Sequence, residues 1–176
     1  MSDKVSARLA SIADIASGIV RIIGQVTAWS GLVLVLLVAF NVLGRYLFNF
    51  GTVALQELEW HVLAVAALFG MSYCLNQGGE VRVDIYYGRM SARAQGAVDL
   101  FSSIALLVVS LIIAWLSIGF VEQSYSIGEG SADPGGLTHR YLLKACIPAA
   151  FVLLAIQALA MTCEAAARLL SPEIRS

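Results

Sequence analysis

His61 and His139 are the residues of this chain whose type best suits a cofactor. Both fall near the same end of two apolar stretches, and paired histidines on facing helices can ligate a b-type haem. A histidine at a membrane edge serves equally well as a polar anchor, so the pair leaves both readings open. Arg45 and Glu57 flank the short segment that joins two such stretches, NVLGRYLFNFGTVALQELEWH. They could pair and fix how two helices meet each other or a partner, or stand as two separate interfacial charges. Cys74, Cys146 and Cys163 lie in apolar surroundings with no CxxC spacing, which points to small packing residues and away from a disulfide framework or a redox relay. No cluster has the spacing of metal ligands, a nucleophile with its base, or a phosphate loop, so no catalysis is expected.

The elements that must position these residues are four uncharged apolar runs, at residues 22–44, 60–79, 100–121 and 145–163. A bilayer core needs about 20 apolar residues of helix, and each run meets that length. With 59% hydrophobic and 13% charged residues and a mean hydropathy of +0.82, the chain reads as an all-α integral membrane protein. Its 176 residues form a single domain with spans at about 22–44, 58–79, 100–121 and 143–163. The remaining pieces are shorter than an independently folding domain. The first run is too long for the apolar part of a cleaved signal peptide and has no small-residue cleavage site behind it, so it is expected to stay as an anchor.

Basic residues give an orientation. Lys4, Arg8, Arg21, Arg82, Arg89, Arg93, Arg168 and Arg175 fall on one side, and Arg45, Arg140 and Lys144 on the other. The positive-inside rule then places both termini and the central connector in the cytoplasm. Before the first span, Val5, Leu9, Ile12, Ile15 or Ala16, and Ile19 recur at helical spacing opposite Lys4, Arg8, Ser11 and Asp14. This pattern fits an amphipathic helix lying in the interface or packed on a partner subunit. The connector GGEVRVDIYYGRMSARAQGAVD opens with Gly78 and Gly79, which suit a helix end. It mixes Val81, Val83, Ile85, Tyr86, Tyr87 and Met90 with Arg82, Asp84, Arg89 and Arg93, a composition for the interface, more than for a reentrant turn whose free backbone groups would need partners at depth.

The opposite connector, EQSYSIGEGSADPGGLTHR, is glycine-rich and acidic. It reads either as a docking loop for a soluble partner or as a solvated flexible connection. Small residues four apart, Ala66 and Gly70, Ser110 and Ala114, Ala145 and Ala149, mark expected helix contacts. No Asp, Glu, Lys or Arg lies mid-span; Arg45, Glu57, Glu59 and Lys144 gather at the outer ends and Glu80, Arg82 and Glu164 at the inner ends. Ion pathways need such groups inside the bundle, where each costs about 2.5–3.5 kcal/mol to insert. The chain is therefore a poor self-sufficient ion-coupled transporter. A stand-alone four-helix haem carrier or a small exporter is the alternative reading.

Two segments carry a family resemblance. NVLGRYLFNF, with Asn41, Arg45 and Tyr46, and QELEWHVLAVAALFGMSYCLNQGGEVRVD, with Glu57, Leu58, Gly78, Gly79, Arg82, Val83 and Asp84, are similar to the small membrane (Q) subunit of tripartite ATP-independent periplasmic (TRAP) transporters. Gln56 stands where that pattern has a first Glu, and Glu80 where it has His. The resemblance implies a bacterial inner-membrane subunit that braces the static scaffold of a large permease subunit. A periplasmic binding protein would deliver an organic acid, and sodium would bind the large subunit, leaving this chain without a cofactor. It implies structural or partner-contact roles for Asn41, Arg45, Tyr46, Glu57, Arg82 and Asp84, contact with membrane lipid, and no nucleic-acid partner.

Overall fold

A computed structural model describes residues 2–79 and 87–170. The described residues hold four helices: α1 (Ser2–Phe48), α2 (Val53–Asn76), α3 (Ala92–Ser126) and α4 (Tyr141–Leu170). All four are long and apolar enough to cross a membrane. Their lengths exceed the apolar runs: α1, at 47 residues, extends about 70 Å at 1.5 Å per residue, well beyond the hydrocarbon thickness.

The interfacial helix expected before the first span is not a separate element. It is the first part of α1, which runs through Arg21 without a break. Of the predicted stripe, Leu9 and Ala16 pack on the bundle, while the isoleucines lie outward. Ile12, Ile15 and Ile19 are exposed, whereas Ala13, Ala16 and Val20 are buried, the two alanines in a cluster with Ala160 and Cys163 of α4. Close approach to α4 selects the small side chains, and the larger isoleucines turn to the surroundings.

α4 is the hub of the bundle. It packs against α1, α2 and α3, and α1 also packs against α2; the principal partner of α3 is α4. Its inward face carries Ala150, Leu153, Leu154, Ala158, Ala160 and Ala165. Pro148 removes one bond to the carbonyl of Lys144 within this helix.

The small-residue expectations divide. Ser110 and Ala114 are buried, but Ala149 is exposed and a Cβ at Gly70 would meet nothing within 4 Å. The tightest crossings lie elsewhere. A Cβ at Gly24 of α1 would sit 2.2 Å from the ring of Tyr73 on α2, and one at Gly96 of α3 would sit 2.8 Å from Leu169 on α4.

α2 closes as expected at its two glycines. Gly78 adopts φ 73° with its N–H on Leu75 O (3.0 Å), and Gly79 donates to Cys74 O (2.9 Å), the two bonds of a Schellman cap. The interfacial course expected for 80–86 lies outside the described residues. Beyond it, Tyr87 donates its hydroxyl to both carboxylate oxygens of Asp99, at 2.9 and 2.8 Å, and is thereby tied to α3.

Candidate functional site

Polar chemistry concentrates at the two ends of the bundle. At the end where α2 begins, Thr52 caps the helix by accepting from Leu55 N–H (3.2 Å), and the first turns present Glu57 to the loop 127–140. Glu57 is only 4% exposed. Its carboxylate accepts from Ser131 Oγ, from the backbone N–H of Leu137 at 2.5 Å and from Arg140 Nη2 at 3.2 Å. The loop adds its own ladder: Ser131 N–H to Leu137 O (2.9 Å), Gly136 N–H to Asp133 O (3.0 Å) and Arg140 N–H to Glu129 O (3.0 Å).

Gly136 is required by closeness: a Cβ there would fall 2.4 Å from Ser131 Oγ and 2.8 Å from Glu57 Oε2. Arg140 also lies over the ring of Trp60, 5.6 Å from its centroid. Lys144 pairs with Glu129, and its Nζ stands 4.0 Å from the ring centroid of Phe120. Hydrogen bonding from Lys144 holds the Glu129 carboxyl below its ordinary range. The glycine-rich connector is thus a folded cap clasped to α2, not a loose connection.

This arrangement corrects the expected Arg45–Glu57 pair. Glu57 is taken by Arg140, Ser131 and Leu137, because it and Glu59, two residues apart, point to opposite sides of α2. Glu59 faces α1 instead and accepts from Asn41 Nδ2 at 2.7 Å. Beside that bond lies a cleft of about 400 Å³ lined by Asn41, Val42, Arg45, Tyr46, Gln56 and Glu59. Asn41 is buried and its Oδ1 has no hydrogen-bond partner among the described residues, while Arg45 and Tyr46 are exposed.

The structure therefore gathers Asn41, Arg45 and Tyr46 into one cleft and sets Glu57 apart in the clasp; Arg82 and Asp84 lie outside the described residues. Ser131, Gly136, Leu137 and Arg140 went unassigned in the sequence, since only the fold brings them to a residue some 80 positions earlier. The histidines serve local contacts. His61 Nδ1 bonds Glu57 O (2.6 Å) and its ring packs on Trp60, whereas His139 Nδ1 bonds Thr138 Oγ1 (2.7 Å) and its ring meets Tyr141.

At the opposite end, Asn76 joins three helices. Its Nδ2 donates to Ser17 O of α1 and to Gln157 Oε1 of α4, both at 3.1 Å, while its Oδ1 accepts from Gln77 Nε2 at 3.0 Å. Gln157 is 4% exposed, so this amide pair satisfies groups that burial alone would penalise. A cavity of about 1010 Å³ opens beside it, with Asp14, Arg21, Asp99, Glu164 and Arg168 on its walls.

Fold and site together define a multi-pass membrane protein whose buried interior holds apolar side chains with a few neutral polar ones, Ser72, Ser103, Ser110 and Gln157, and whose ion pairs Glu57–Arg140 and Glu129–Lys144 sit at one end of the bundle. Residues 34–168 match the family described as tripartite ATP-independent periplasmic transporters, DctQ component. The chain belongs to that family and is a small membrane subunit of a TRAP transporter. Searches among curated proteins and among solved structures found no match.

Proposed function

We propose that this subunit braces the static scaffold of a large permease subunit in the bacterial inner membrane, both termini cytoplasmic, for sodium-coupled uptake of an organic acid delivered by a periplasmic binding protein. One observation carries this reading: the ionisable groups stand at the helix ends, and two ion pairs at the outer end tie the chain's own elements together. Glu57 with Arg140 and Glu129 with Lys144 fasten the cap, while no Asp, Glu, Lys or Arg occupies the middle of a span. A coupled carrier needs charged or polar coordinating groups at depth that change partners during transport. A brace needs the reverse, fixed ties at the ends and a broad apolar flank for a neighbouring subunit. Such a flank exists on α1 and α3, where Trp29, Val33, Leu36, Phe101, Trp115 and Leu116 are all at least half exposed.

The test is flux in proteoliposomes under a sodium gradient with the binding protein and its organic acid supplied. Vesicles holding this chain and the large subunit together should accumulate substrate, and vesicles holding this chain alone should not. Sodium-dependent uptake by this chain alone would refute the assignment.

A further inference from the structure

The cleft between the end of α1 and the start of α2 holds a cation and an anion that do not satisfy each other. Arg45 has no ion-pair or hydrogen-bond partner among the described residues, and Glu59 bonds only the neutral amide of Asn41. Asn41, 5% exposed, keeps its Oδ1 buried with no hydrogen-bond partner, and the side chains of Gln56 and Tyr46 make no bond to the rest of the described chain. Opposite charges left apart within one recess of about 400 Å³ make it complementary to a zwitterion. The recess stands near the end of two membrane-spanning helices, and on its span side lie Val42, which lines it, and Val38 and Leu63, one turn deeper, all three exposed. Exposed apolar side chains there can line an acyl chain while the polar side chains meet its headgroup.

We infer that this cleft binds the headgroup of a phospholipid bearing a primary ammonium and a phosphodiester, that is, a phosphatidylethanolamine. Arg45 takes the phosphate through charge-assisted hydrogen bonds, with the Tyr46 hydroxyl as a further donor. The ammonium has three N–H donors, and the Glu59 carboxylate, the Gln56 carbonyl and Asn41 Oδ1 are the acceptors at hand. The same chemistry rejects two common alternatives. A phosphatidylcholine has no N–H to give, and a phosphatidylglycerol brings no cation to Glu59. The inference is independent of the bracing role and of which face of the membrane the cleft occupies.

The experiment is native mass spectrometry and thermal unfolding of the full-length chain, delipidated in detergent and then titrated with dioleoyl-phosphatidylethanolamine, -choline or -glycerol. Phosphatidylethanolamine should be retained and raise the melting temperature, with an affinity about tenfold or more above the other two. Arg45→Gln and Glu59→Gln should each abolish that preference. Because Glu59 also bonds Asn41, the exposed positions supply a second pair of variants: Gln56→Leu and Tyr46→Phe should weaken the preference with unchanged helical circular dichroism. Equal retention of the three lipids, or a preference that survives Arg45→Gln, would overturn the inference. So would glycerophosphoethanolamine binding as tightly as the lipid, which would make the ligand a soluble metabolite. A photocrosslinker at Tyr46 that captures the large subunit instead of lipid in the assembled complex would overturn it too.

Discussion

Glu57 shows how much one carboxylate can organise when its partners come from a different part of the chain. Two oxygens accept from a hydroxyl, a backbone amide and a guanidinium, so the loop 127–140 is fastened through three of its own positions. Replacing the carboxylate by an amide removes the charge and turns one acceptor into a donor, which then faces the Leu137 N–H or the Ser131 hydroxyl. Glu57→Gln should therefore raise hydrogen exchange at the Leu137 amide by about tenfold or more, while the amides of α3 stay protected. Lys144 and Glu129 fasten the other side of the cap independently, so the loop should loosen around residues 131–137 and not detach. Unchanged exchange at Leu137 in Glu57→Gln would show that the backbone ladder of the loop suffices. The family resemblance marked Glu57, but nearness in sequence suggested Arg45 as its partner, and helix phase sends Glu57 and Glu59 to opposite sides.

At the scale of helices, what hydropathy made legible was the number of the spans, because length and lack of charge suffice to mark them. Helix contacts were much less legible. Alanine and glycine occur throughout these spans, and a four-residue spacing does not say which face meets a neighbour. Gly24 went unmarked, yet it is where the Tyr73 ring of α2 lies closest to α1. At Gly18 and Gly31 on the same helix a Cβ would meet nothing within 4 Å. Gly24→Ala should therefore destabilise by about 1–3 kcal/mol through overpacking, despite the gain in helix propensity of roughly 1 kcal/mol. Gly18→Ala and Gly31→Ala should be neutral or slightly stabilising, having the propensity gain without the collision. Thermal unfolding of the three variants in one detergent separates the cases, and equal melting temperatures for all three would mean that Tyr73 moves aside at little cost. Likewise, the stripe before the first span was legible as a pattern, but not which small residues beside and within it would meet α4. Packing against α4 favours Ala13 and Ala16, whose small size lets the helices close, over the more hydrophobic positions beside them.

For the whole molecule, the two ends differ in more than their hydrogen bonds. The cap end carries Arg45, Arg140 and Lys144, of which the last two are bound to Glu57 and Glu129, whereas Arg8, Arg21, Arg89, Arg93 and Arg168 of the described residues lie towards the opposite end. The positive-inside rule counts Lys and Arg near the ends of spans and gives Asp and Glu little weight, so the uneven division of basic residues sets the expected orientation. The cap should therefore face the periplasm and the start of α3 the cytoplasm. Ala132 in the cap and Ala92 at the start of α3 are both exposed and outside the polar ties, which makes them suitable reporters. With Cys74, Cys146 and Cys163 changed to serine, Ala132→Cys should react with a membrane-impermeant maleimide added to intact cells or spheroplasts. Ala92→Cys should react only after the membrane is permeabilised. The opposite pattern would invert the subunit, place the clasp of Glu57 on the cytoplasmic side, and remove the cap from the side to which a periplasmic binding protein has access.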